Sequence, residues 1–254
     1  MQWASLSWKK IPEAIEHCQV GILPLGSVEN HGSHMALGTD YLVPEYLCAL
    51  IEQKVDVLVL PTLPYGVCPH HMKFPGSINI GLEALLQVVR NIAFSVLSHG
   101  LKKLVFLNGH GGNDPALDTV ALEFYQKGGL AAVIDWWVLA PQLNADWKGG
   151  HADAQETAAL MAIRPEWVHL EDTINGTVRD LSKELKTAYL NTIQFGKGAI
   201  RVARDVSHVV PSGWFGPRAP DQGTPEWGKE MLEGTADYIA QFVEAFKRVE
   251  LPTV

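Results

Sequence analysis

Short apolar runs alternating with longer amphipathic patterns constrain this chain more than any other feature. The runs occupy residues 20–25, 55–60, 103–107 and 130–135, each short enough to be a buried strand. Leu82, Leu85, Leu86, Val89, Ile92, Ala93, Val96 and Leu97 recur at i, i+3, i+4, i+7 spacing and predict a helix over 82–97. A helix is expected over 41–53. Asp114-Pro115 opens another, with Asp as its cap and Pro at its first position. A last long helix is expected over 226–248, with Met231, Tyr238, Phe242 and Phe246 on one face. Strand–helix alternation predicts an α/β fold in which helices cover both faces of a mostly parallel sheet. No repeat, low-complexity tract or linker interrupts the 254 residues, so the expectation is one domain over 1–254. Residues 173–221 have weak periodicity and many Gly, Pro, Arg and Asp. They read as long surface loops, an active-site wall or a subunit contact.

Composition narrows the partners. A net charge of −8, with no basic stripe, argues against a nucleic-acid or anionic-membrane surface. Three cysteines without a C-x-x-C indicate neither a disulfide framework nor a thiolate zinc site. The N-terminus has no signal-peptide pattern, and no apolar stretch approaches the ~18 residues that span a membrane. The expected setting is a reducing cytoplasm.

The residues with chemical potential cluster where such a sheet binds ligands, at the carboxyl ends of its strands. After the first run, the glycine-rich stretch 26–40 carries Glu29, His31 and Asp40. In an extended chain Glu29 and His31 point the same way, and Asp40 returns a third ligand from the far end of the loop. Oxygen with imidazole nitrogen suits Zn, Mn or Fe better than Ca or Mg. After the third run comes Asn108-Gly109-His110-Gly111-Gly112-Asn113. After the fourth come Trp136 and Trp137, and then Trp147, His151, Asp153 and Glu156 lead into a helical stretch over 158–163.

Each of these has a plainer reading. Glu29-x-His31 is also what a solvated loop contains, and Asp40 suits the N-cap of the helix after it. Residues 108–113 would suit a phosphate-cradling loop, although they match neither G-x-G-x-x-G nor G-x-x-x-x-G-K-[ST]. His151 and Glu156 also fit an ordinary helix start. His70 and His71, before Phe74-Pro75-Gly76, read as loop residues near the mouth of the cleft, with His71 within reach of a substrate. The tryptophans fit a core.

Taken in order, Leu23-Pro24-Leu25-Gly26-Ser27-Val28-Glu29-Asn30-His31-Gly32, Gly38-Thr39-Asp40, Phe74-Pro75-Gly76, Asn108-Gly109-His110-Gly111-Gly112-Asn113 and the segment 151–157 resemble the creatininase (creatinine amidohydrolase) family over nearly the whole chain. The resemblance implies a three-layer αβα fold, two divalent metal ions per subunit (zinc first, manganese or iron as alternatives) and a closed homo-oligomer such as a hexamer. It implies Glu29, Asp40 and His110 on one metal and His31, Asp40 and Glu156 on the other, with Asp40 bridging. His151 corresponds to a proton-shuttling histidine, Trp147 to a tryptophan that closes over the substrate, and Trp137 to a second aromatic wall. The expected function is hydrolysis of an amide, cyclic amide or formamide C–N bond in a small molecule. Two metals about 3.5–4 Å apart can activate a water and grip the carbonyl oxygen, while an imidazole protonates the leaving nitrogen.

Two positions depart from the creatinine-hydrolysing pattern, Asn-Gly-His-aromatic-Glu-Asn. Its acidic place is Gly112, and the small residue usual two after the shuttling histidine is Asp153. Asp153 is either a further substrate contact or a solvated surface charge. Within the family, a formamide deformylase or a peptide-trimming enzyme is the alternative. From another class, the alternative is a catalytically silent metal- or anion-binding α/β protein.

Overall fold

The computed structural model describes residues 1–251. Four parallel strands, β1 (Gly21–Leu25), β2 (Leu58–Val59), β3 (Lys103–Asn108) and β4 (Leu130–Asp135), form a sheet in the order β2-β1-β3-β4. Successive strand residues point to opposite faces, and each face meets its own helices. Ile22, Val105, Leu107 and Ile134 pack with α2 (Thr39–Ile51), α5 (Trp136–Leu143), α6 (Ala154–Ile163) and α8 (Pro225–Lys247). Leu23, Leu25, Leu104 and Phe106 pack with α1 (Ile11–Cys18), α3 (Leu82–Ser98) and α4 (Asp114–Gln126). The result is the expected three-layer αβα sandwich.

Some boundaries moved for physical reasons. Only Leu58–Val59 of the 55–60 run ladders with β1, because β2 is an edge strand whose outer side meets the N-terminal segment at Gln2. The helix expected from 41 starts at Thr39, so Asp40 sits in its first turn and not at its cap. Asp114 is likewise the first residue of α4, where Asn113 takes the cap position without a side-chain bond. On α8, Met231 and Phe246 are buried, but Tyr238 faces solvent.

The segment 173–221 is not only loops. It holds an antiparallel meander of β5 (Lys186–Tyr189), β6 (Thr192–Phe195) and β7 (Gly198–Arg201), followed by α7 (Val206–Val209). The outer strands β5 and β7 are exposed along most of their four residues and β6 buries only Ile193, too little on either face to print a period of two.

In the sheet order, β1 lies between β2 and β3, so the chain reverses its winding between β1 and β3. That switch point is where open α/β sheets leave a crevice at the strand ends. Leu25 and Asn108, the last residues of the two strands, are paired partners.

Candidate metal centre

The loops leaving β1 and β3 deliver Glu29, His31 and His110 into this crevice, and the first turns of α2 and α6 deliver Asp40 and Glu156. Close approach makes the delivery of Asp40 possible: a Cβ on Gly109 would overlap the Asp40 carbonyl. All five side chains are buried. The two oxygens of Asp40 face two histidines, with Oδ1 2.9 Å from His31 Nε2 and Oδ2 3.1 Å from His110 Nδ1. His110 Nδ1 is also 3.2 Å from Glu29 Oε1, and His31 Nε2 is 3.5 Å from Glu156 Oε2. Two triads result, Glu29–Asp40–His110 and His31–Asp40–Glu156, each with ligand atoms within 4.8 Å of one another.

Backbone carbonyls orient both imidazoles. His31 Nδ1 lies 3.1 Å from the Glu29 carbonyl and His110 Nε2 lies 2.9 Å from that of Val67. A carbonyl only accepts, so each of these nitrogens carries a hydrogen, and the opposite nitrogen, facing the carboxylates, is the one that would ligate a cation once its own proton is displaced. Asn108 holds the loop carrying His110: its Oδ1 accepts the His110 N–H, and its Nδ2 lies 2.9 Å from the His110 carbonyl and from one oxygen each of Asp114 and Asp135. Burial and the neighbouring Asp135 raise the Asp114 carboxyl to about 7.

The electrostatics match a cation site. Burial alone would make His31 hard to protonate, but Asp40 overrides it and lifts the imidazole to about 10. His110 is driven well up against the same burial by Glu29 and Asp40. Burial opposes ionisation of Asp40, yet the two histidines hold it below the usual carboxylate range. Burial raises Glu156 to about 8. Three buried carboxylates thus draw positive charge onto two imidazoles. Glu29 Oε2, His31 Nε2 and Asp40 Oδ2 meanwhile have no hydrogen-bond partner. Oxygen and imidazole donors converging without partners fit divalent transition metals.

His151 stands over the cluster, its ring 4.7 Å from those of both His31 and His71. Its backbone pairs with Phe215 through two 2.7 Å bonds. Burial pushes its imidazole well below the ordinary value, and its Nε2 has no partner. The next residue, Ala152, takes the left-handed conformation (φ 51°) and donates its N–H to Glu156 Oε2 at 2.5 Å. His71 Nε2 is 3.4 Å from Glu29 Oε1, so this imidazole belongs to the cluster.

Three other sequence-predicted residues stand farther out. Trp147 is 8% exposed and packs in the core, where a Cβ on Gly234 would press its ring. Trp137 is half-buried, its ring 3.6 Å from where a Gly111 Cβ would lie, beside the loop that holds His110. Asp153 is not a solvated charge. It is fully buried and caps α6, with Oδ1 accepting the Gln155 N–H at 3.0 Å and Oδ2 pressed against Gly216. Burial raises its carboxyl to about 6.

Tyr189 was not foreseen. It is 38% exposed on β5, with its ring 5.5 Å from Phe215, and loss of solvent around the hydroxyl, followed by the charges of Glu156 and Asp153, raises its phenol. No local pattern marks it, because only the folding of the meander brings it to the wall.

Comparison with known proteins agrees with this geometry. The creatininase pattern, described as creatinine amidohydrolase, matches residues 4–243. A creatinine amidohydrolase of Pseudomonas putida is 27% identical over 67% of this chain and 74% of its own length. A 3-dehydro-scyllo-inosose hydrolase of Thermotoga maritima is 26% identical over 98% and 85%, and a mycofactocin precursor peptide peptidase of Mycolicibacterium smegmatis is 30% identical over 64% and 65%. The fold is shared with a solved creatinine amidohydrolase at TM-score 0.74, 23% identity and 98% coverage of both chains. Other solved creatininases are described as a manganese form and a Zn–Zn form. The chain therefore belongs to the creatininase family, whose members are metal-dependent amidohydrolases.

Proposed function

We propose that the buried cluster is a dinuclear centre that hydrolyses the C–N bond of a small amide, cyclic amide or formamide, the chain acting as one unit. Glu29, Asp40 and His110 hold one cation and His31, Asp40 and Glu156 the other, with zinc preferred over manganese or iron. The carrying observation is that five buried oxygen- and imidazole-bearing side chains form two triads sharing Asp40, in which Glu29 Oε2, His31 Nε2 and Asp40 Oδ2 have no hydrogen-bond partner. When bound, two such cations supply Lewis acidity, which lowers the pKa of a water and polarises a carbonyl.

The chain's own residues do the rest. The Glu29 and Val67 carbonyls fix the tautomers of His31 and His110. Burial keeps the His151 imidazole neutral, so Nε2 is free to take a proton and pass it to the leaving nitrogen. His71 shares the wall facing His151 and, with Tyr189, bounds the space a substrate enters.

Three buried, unpaired cysteines fit a cytoplasmic setting, and the family resemblance favours a closed homo-oligomer such as a hexamer. Metal analysis of the purified protein, followed by a screen of cyclic ureas, formamides and short peptides with metal added back, tests the reading. Close to two metals per chain and turnover of a small amide are expected. A protein that binds no divalent metal sinks the proposal.

A further inference from the structure

Beside the metal cluster lies a cavity of about 670 Å³ whose wall includes Pro69, His70, Arg179, Arg204, Asp205 and His208. His70 joins it to the cluster, since its ring stacks on His110 with centroids 6.2 Å apart. The two acids lining it are already neutralised: Asp205 by Lys73 and Asp180 by Lys186, each at 2.7 Å. The two arginines are not. Among the described residues, no carboxylate lies within 4.0 Å of either guanidinium. Arg204 Nη1 donates to Thr187 Oγ1 at 3.2 Å, while its Nε and Nη2 have no acceptor and lie just behind the cavity surface, so that a turn of the side chain would bring them to a ligand there. Leaving such donors unpaired is costly. In a chain of net charge −8, this is a local excess of positive charge.

We infer that this cavity is the subsite for an anionic group of the substrate, a carboxylate or a phosphate, with Arg204 as its main contact and Arg179 as its second. The inference rests on the amidohydrolase reading of the adjoining cluster. A guanidinium fork matches the two oxygens of either anion. The meander contributes directly, because Thr187 of β5 holds Arg204 and Tyr189 of the same strand packs on Phe215, whose backbone pairs with His151. The substrate class is accordingly a small amide or formamide bearing an anionic tail.

Calorimetry on the metal-loaded protein, with N-acetylglycine, methylphosphonate and neutral N-acetylglycinamide as probes, tests the subsite. The wild type should favour at least one anion over the neutral probe by roughly tenfold or more. Whichever anion is preferred separates carboxylate from phosphate. In Arg204→Met that preference should collapse while metal content holds, and Arg204→Lys should restore part of it. Arg179→Met gives a second variant, with a smaller loss, should Arg204→Met not fold. For an anionic amide that is turned over, Arg204→Met should raise KM with kcat within about twofold. Equal affinity of the wild type and both methionine variants for both anions would overturn the subsite, whatever the enzyme hydrolyses. Arg204-dependent anion binding without turnover of any amide would count against the amidohydrolase reading and leave the subsite standing.

Discussion

His110 Nε2 lies 2.9 Å from the carbonyl oxygen of Val67, and this contact turns Nδ1 toward Glu29 and Asp40. Gly112 makes the contact possible. A Cβ there would overlap both the Val67 oxygen and the His110 ring. Gly112→Ala should displace one of them and cost on the order of 10–100-fold in metal affinity, as loss of an outer-shell partner typically does. Competition with a chelator measures it, and wild-type affinity in the variant would show the contact to be dispensable.

His151 has two possible roles. Its ligand-type atom lies within 4.8 Å of those of Glu29 and His31, so it could bind metal, but it belongs to neither triad that shares Asp40. As a proton shuttle, its replacement by Ala should leave metal content intact while activity falls about 10²–10⁴-fold. If the variant loses metal, His151 is a ligand.

Metal removal should expose the cluster's own titration. In the metal-free protein His31 titrates near 10 and Glu156 near 8, both above their ordinary values. Above about pH 7 the histidines whose pKa is lowered by burial (His34, His70, His71 and His151) are neutral in both states, so between roughly pH 7 and 10 the native state holds more protons than the unfolded chain and stability falls as pH rises through that window. Metal-free protein should lose melting temperature from pH 7 to 10, while bound cations, replacing the protons, should flatten the metal-loaded curve. Parallel curves from scanning calorimetry at several pH values would contradict this account.

What the sequence disclosed follows from how local each signal is. The strands β1 and β3 are continuous apolar runs because helices bury both their faces, and the edge strand β4, half-buried throughout, still packs residues on both, so the 20–25, 103–107 and 130–135 runs could be read directly. Glu29, His31 and His110 lie within a few residues of strand ends, where fold logic already expects ligands. Asp40 suggested a cap because its spacing from the helix fits one, and only the close approach at Gly109 shows why it turns inward. Arg204, Tyr189 and the Val67 carbonyl left no trace, since each meets the site through a contact made by tertiary packing alone.

The last prediction is that this protein turns creatinine over poorly. The creatinine-hydrolysing pattern has a carboxylate where Gly112 stands, and here the Val67 carbonyl and the His110 ring fill the space that a side chain would need. Asp153 cannot supply the missing charge. Its Oδ1 caps α6 and its Oδ2 is pressed against Gly216. The aromatic position of the pattern is Gly111, where a Cβ would meet only Trp137 at 3.6 Å and Asp114 at 4.0 Å, leaving the wall open on that side. A pocket that lacks one polar partner and one ring discriminates between analogues by orders of magnitude. Creatinine turnover should fall well below the roughly 10 s⁻¹ typical of a dedicated enzyme. Gly112→Glu should not raise it, because the new carboxylate has no room beside Val67. Steady-state kinetics with metal added back decides the matter: turnover at or above that rate in the wild type, or a gain in Gly112→Glu, would show that the geometry around His110 does not set the substrate.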